Sequence, residues 1–164
     1  MKNFIVRFGV LGACVSIALG LINWFTVAQW YGVSTSQAIG YTSIAVSMLC
    51  IPLGIRYFRD KLNQGKVSFG EAFKIGNGIT FVAAVIKGLY SMLFFLVEGD
   101  DFAVWQRKGL DAAQLEQFEQ EMANMPEYAM APWFQGIVMF VMVFIIGFII
   151  NLISSFMMKN SKNT

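Results

Sequence analysis

Histidine is absent from this chain of 164 residues, and with it go the commonest general base, the commonest transition-metal ligand and the usual proton switch near neutral pH. Only two cysteines occur, Cys14 and Cys50. Both fall inside apolar runs, where an unreactive buried thiol is expected rather than a disulfide framework, so they do not report a redox compartment. Charge is also scarce: 13% of residues are charged and 57% hydrophobic, whereas a soluble domain carries about a quarter charged. That balance excludes an ordinary water-soluble fold. A phosphate-binding glycine loop, a nucleophile elbow, metal-ligand spacing and nucleic-acid modules are missing too. No catalytic residue, cofactor or metal is therefore expected, and nucleic acid is not an expected partner.

What the chain does have is long apolar sequence. A bilayer core about 30 Å thick needs about 20 mostly apolar residues as helix, and four segments qualify, at about 8–30, 39–57, 73–97 and 133–158. Trp30, Tyr31, Tyr57, Phe58 and Trp133 lie at their ends and suit the headgroup region. The first apolar run continues well past Cys14, so it is expected to be an uncleaved span rather than a signal peptide. The predicted fold is all-α: a transmembrane four-helix bundle, a single integral membrane domain over residues 1–164.

Sidedness is read from the cations. Lys2, Arg7, Arg56, Arg59, Lys61, Lys66, Lys74, Lys159 and Lys162 share one side with only Asp60 and Glu71, whereas the other side holds Arg107 and Lys108 against eight carboxylates. The positive-inside rule then makes both termini and the 58–72 turn cytoplasmic. The bilayer is the expected partner, with anionic lipid heads attracted to that basic turn.

Two helix starts are legible outside the spans. Ser68 with Glu71 three residues on is a capping box that begins the third helix, with Phe69 and Phe73 expected at the interface. Asp111 with Gln114 is a second one. It precedes Leu115, Phe118, Met122 and Met125 at helical spacing, which predicts a short amphipathic helix in the outer loop. Pro132 suits the first turn of the fourth span. Glu116, Glu119 and Glu121 are read as a solvated helix face rather than a cation site.

The one charge near the middle of a span is Lys87. A central lysine costs roughly 2.5–3.5 kcal/mol on insertion scales. At helical spacing it shares a face with Thr80, Ala83, Ala84, Tyr90, Ser91 and Phe94, so it is expected to point into the bundle while Leu89, Met92 and Leu96 face lipid. By depth its candidate companions are Ser16, Asn23, Ser47 and, further along, Asn151. Two readings stand: an anion-attracting or proton-exchanging group in a polar cavity, or a neutral or snorkelling amine held by hydroxyls and carbonyls. For Asn23 and Asn151 interhelical hydrogen bonding is the preferred role. Small residues recur at Gly12, Ser16 and Gly20, at Ser43, Ser47, Cys50 and Gly54, and at Gly147, Asn151 and Ser155, which argues for close helix packing. Pro52 frees the carbonyl of Met48, so a kink is expected there, with Ser47 available to that carbonyl.

The stretch SFGEAFKIG at 68–76, the spacing of the four spans and the acidic outer loop ending at Pro132 resemble a bacterial, Bacteroidetes-type domain-of-unknown-function family of small four-span membrane proteins. The resemblance implies a bacterial inner-membrane location and no established activity. The leading expectation is a non-catalytic, multi-pass membrane protein acting by association with itself or another membrane component. The alternative is a small transporter or channel subunit with Lys87 in a polar path, and a cavity joining Lys87 to a surface discriminates the two.

Overall fold

A computed structural model describes residues 2–31 and 33–159; Lys162 lies outside them, as does the side chain of Lys2. Among the described residues there is no strand, and four helices are long and apolar enough to cross a membrane. The fold is an all-α, transmembrane-type four-helix bundle.

The first helix, α1 (Lys2–Ile22), runs through a π-helical turn, Asn23–Val27, into a short α2 (Ala28–Trp30). The second is broken into α3 (Val33–Ser47) and α4 (Cys50–Tyr57), with a π-helical end at Phe58–Leu62. The third, α5, is unbroken from Phe69 to Arg107. A short α6 (Ala112–Asn124) and a 3-10 turn, Glu127–Met130, lead to α7 (Pro132–Met158). The expected spans lie inside these helices, but α5 exceeds its span by the most. Its 39 residues measure about 58 Å at 1.5 Å per residue, nearly twice the hydrocarbon thickness. Glu98, Asp100 and Asp101 end the apolar run without ending the helix, because charge limits a membrane span and not helical hydrogen bonding. Trp105 anchors the extension by donating from Nε1 to the carbonyl of Ala28 at 2.9 Å.

Both capping boxes form. The Ser68 backbone N–H donates to Glu71 Oε2 at 2.9 Å and the Glu71 N–H donates back to Ser68 Oγ at 3.3 Å. Asp111 and Gln114 make the corresponding pair at 3.1 and 2.8 Å. Helix α6 buries no residue; Leu115, Phe118 and Met122 are half-covered and Met125 is exposed. Between α5 and α6, Gly109 takes φ +86°, a left-handed turn that a Cβ would strain.

The core is centred on α5 and α7, which make the most extensive helix pair. Their backbones touch at Gly88 and Gly136, where a Cβ on either would meet the other's carbonyl oxygen at 2.9 Å. Close approach of this kind replaces the hydrophobic force that lipid cannot supply. Ile51, Ile55, Ile79 and Val143 fill the centre of the bundle. A second cluster, Trp24, Ala28 and Trp105 with Phe94 and Phe102, lies at the end carrying α6.

Two expectations are corrected and one is extended. Phe58 is not an interfacial anchor: it is buried and stacks on Phe4 with ring centres 5.8 Å apart. Phe69 and Phe73 stack on each other, and Phe69 meets Phe156 at a tilt and Phe73 meets Phe148 edge-on, both on α7, so they join helices as well as mark the interface. The break in the second helix is at Met48 and Leu49, and the Met48 carbonyl freed by Pro52 accepts from the N–H of Ile51 at 2.9 Å. Ser47 instead donates to its own helix, to Ile44 O at 2.7 Å. A tightened backbone turn serves the orphan carbonyl more directly than a side chain one residue upstream.

Candidate functional site

Lys87 stands on the face of α5 that the sequence assigns to the bundle. Thr80, Ala83, Ala84 and Ser91 on that face are buried, and Leu89, Met92 and Leu96 on the other are exposed. Lys87 itself is 5% exposed. Its side chain does not meet a carboxylate: the ion pairs among the described residues are Arg56 and Arg59 with Asp60, in the basic turn. Its ammonium lies 5.4 Å from the centre of the Tyr90 ring, a geometry in which the ring quadrupole attracts the cation.

Lys87 borders a cavity of about 420 Å³ between α1, α3, α5 and α7, whose polar lining also includes Ser16, Asn23, Ser36, Gln37, Ser43, Ser91, Gln106 and Gln135. Aromatic and sulfur-bearing side chains make most of the remaining wall: Trp24, Phe94, Phe95 and Phe102 on one side, Met139 and Met142 on the other. The size and the pattern of mostly apolar walls with a few convergent polar groups are those of small-molecule sites.

The helix break shapes this cavity. Below it, α4 packs against α1, α5 and α7; above it, α3 rests on α1 and touches α7 only lightly. The departing α3 leaves space in front of Lys87. Tyr41, 55% exposed, on α3 and the exposed Val138 and Met142 on α7 flank the gap. On α1 the π-helical turn brings Asn23 and Trp24 to the wall, and such turns recur at functional sites because they rotate side chains out of the regular register.

Asn23 is oriented without ambiguity. Its Nδ2 donates to Ser36 O at 3.1 Å and to Ser36 Oγ at 2.9 Å, and since a carbonyl only accepts, the amide nitrogen has to face Ser36. Oδ1 therefore points away from Ser36. It is buried with no hydrogen-bond partner, as is Ser16 Oγ. Trp24 Nε1 donates to Glu98 Oε2 at 3.2 Å, about 16 Å along α5 from Lys87, which ties that carboxylate to the tryptophan rather than to the lysine.

Of the residues singled out by sequence, Lys87, Asn23 and Ser16 thus line one cavity. Ser47 does not; it serves α3 internally near Gly12. Asn151 belongs to a separate, structural network: Nδ2 donates to Phe73 O at 3.0 Å and to Asn77 Oδ1 at 3.1 Å, and Oδ1 accepts from Ser155 Oγ at 3.1 Å. Asn77 was missed as an interhelical amide because it lies near the basic end of its span. Ser36 was missed because the second span was expected to start at 39. Gly20, expected in a packing stripe, has nothing within 4 Å of where its Cβ would stand and lines the cavity instead.

No group of three metal-ligating side chains occurs among the described residues. Comparison with curated proteins and with solved structures yields no match for either. A family model does match, over residues 7–160, which is nearly the whole chain, and the chain accordingly belongs to the family described as Protein of unknown function (DUF4199).

Proposed function

We propose that this chain is a non-enzymatic, multi-pass protein of the bacterial inner membrane that holds an anionic ligand in the Lys87 cavity, as a carrier or ligand-sensing component. The observation that carries this reading is Lys87 itself: a cation at mid-span, nine-tenths buried, facing a cavity and no carboxylate. A residue so costly in a membrane is a functional-site hypothesis by default. Association with a partner, the leading expectation from sequence, loses part of its support because many of the small residues are consumed within the chain. Gly12 contacts Ser47 and Cys50, Gly54 contacts Ile79 and Phe8, and Gly147 contacts Thr80.

Orientation is part of the proposal. The turn holding Arg59, Lys61 and Lys66 is cytoplasmic and attracts anionic lipid heads, and both termini share that side. A single cysteine at Lys66, with Cys14 and Cys50 replaced, is then protected from impermeant thiol reagents in intact cells; labelling from outside contradicts the orientation. The cavity reading is tested with Lys87→Met in nanodiscs. It predicts a more stable protein that no longer responds to anions. A variant that matches wild type in both stability and anion response contradicts it.

A further inference from the structure

The cavity that Proposed function assigns to an anion also carries information about what the rest of that ligand is and where it comes from. Three features bear on this, and each is independent of the others.

The first is the direction of approach. The gap between α3 and α7 is lateral, flanked by Tyr41, Val138 and Met142 on helix faces whose neighbours Val46, Val141 and Ile145 are exposed apolar side chains of spans. A ligand entering there comes from the hydrocarbon. At the end carrying α6, Glu98, Asp100 and Asp101 follow one another on α5. A water-borne anion coming from that end enters a region where eight carboxylates outnumber Arg107 and Lys108, and like charge of this density depresses its local concentration. The second feature is the wall, largely aromatic and methionine, which favours an apolar body. The third is the polar floor. Lys87 is a donor and a charge, whereas Asn23 Oδ1 can only accept, and its amide nitrogen is committed to Ser36. A plain anion satisfies the lysine and leaves Asn23 unmet. A hydrogen-bond donor beside the charge supplies the partner that Asn23 Oδ1 lacks, with Ser16 Oγ able to take either role.

We infer that the ligand is a single-chain anionic amphiphile bearing a hydroxyl or N–H next to its charge, taken laterally from the bilayer through the α3–α7 gap. Its head group meets Lys87 and Asn23 and its tail lies along Trp24, Phe94 and Met142. This inference rests on the cavity reading, but it is more specific.

The test uses the full chain in phosphatidylcholine nanodiscs and reads the thermal unfolding midpoint and the fluorescence of Trp24 and Trp105 against four probes: 2-hydroxydodecanoate, dodecanoate, methyl 2-hydroxydodecanoate and lactate. Expected is saturable stabilisation by 2-hydroxydodecanoate, about tenfold weaker binding of dodecanoate, which lacks one hydrogen bond worth about 1.4 kcal/mol, and no saturable effect of the uncharged ester or of tail-less lactate. Lys87→Met abolishes the response. Gly20→Leu is the second variant: nothing lies within 4 Å of the added Cβ, so the fold is kept while the side chain fills the cavity, and binding is lost. If lactate stabilises as strongly as the long acid, the bilayer source is wrong and the anion cavity stands. If dodecanoate equals its hydroxy derivative, the donor requirement is wrong. If the ester equals the acid, or if no probe gives a saturable response in wild type, the cavity reading falls with the inference.

Discussion

Lys87 shows how much one residue reveals and where its legibility stops. Its face, its bundle-facing direction and its company of Thr80, Ala83, Ala84 and Ser91 follow from helical spacing alone, since a period of 3.6 fixes which side chains share a side. That it faces a cavity does not follow, because cavities are made by how other helices lean. Removing the charge tests the cost: Lys87→Met is expected to raise stability by up to about 3 kcal/mol, measured by unfolding in mixed micelles. A less stable variant means that the amine is a structural tie. Asn151 offers a contrasting case. A Cβ on Gly76 collides with Asn151 Oδ1, so Gly76→Ala is expected to cost about 1–3 kcal/mol by overpacking. Asn151→Ala costs about 1 kcal/mol for its interhelical bonds. Because the second change clears the space that the first needs, the double variant is expected to be less destabilised than the two added, by about 1 kcal/mol or more. Strict additivity in a double-mutant cycle contradicts this account of the α5–α7 contact.

At the scale of the element, the two capped helix starts were readable and the far end of α5 was not. Serine or aspartate with a partner three residues on places the α5 and α6 N-termini, because the capping box is a local exchange of hydrogen bonds. The far end of α5 ran beyond its apolar stretch since hydropathy locates lipid, not helix, and the bonds of Trp105 to Ala28 and of Trp24 to Glu98 show what holds the extension. Ser68→Ala is expected to cost about 1 kcal/mol. The same box gives a pH signature. The Ser68 backbone N–H, and then its hydroxyl, hold the Glu71 carboxyl below its ordinary value of 4.5. A lowered carboxyl contributes stability above that ordinary value and loses it as pH falls towards the lowered one. Glu71 is exposed, so the contribution is small. Wild type should therefore lose slightly more stability than Ser68→Ala on acidification through that window. Identical acid limbs for the two proteins contradict the assignment.

For the whole molecule, the decisive feature is asymmetry along the second helix. Pro52 announces a break in the sequence, and the structure shows its consequence: α4 closes the bundle at the basic end while α3 leans away from α7 at the other. The closed half is held by Ile51, Ile55, Ile79 and the Asn151 network, and the splayed half encloses Lys87, Asn23 and Ser16. Stability and binding are thus divided between two ends of one bundle. No local pattern encodes that division, since it depends on where a broken helix comes to rest. The measurement that tests it most directly is a crystal structure grown from lipid in the presence of a terminally brominated 2-hydroxydodecanoate. The account predicts a bromine anomalous peak in the gap between α3 and α7, with the head group within hydrogen-bond distance of Lys87 Nζ. A structure in which α3 lies closed against α7 over Lys87, with no bromine peak between them, contradicts it.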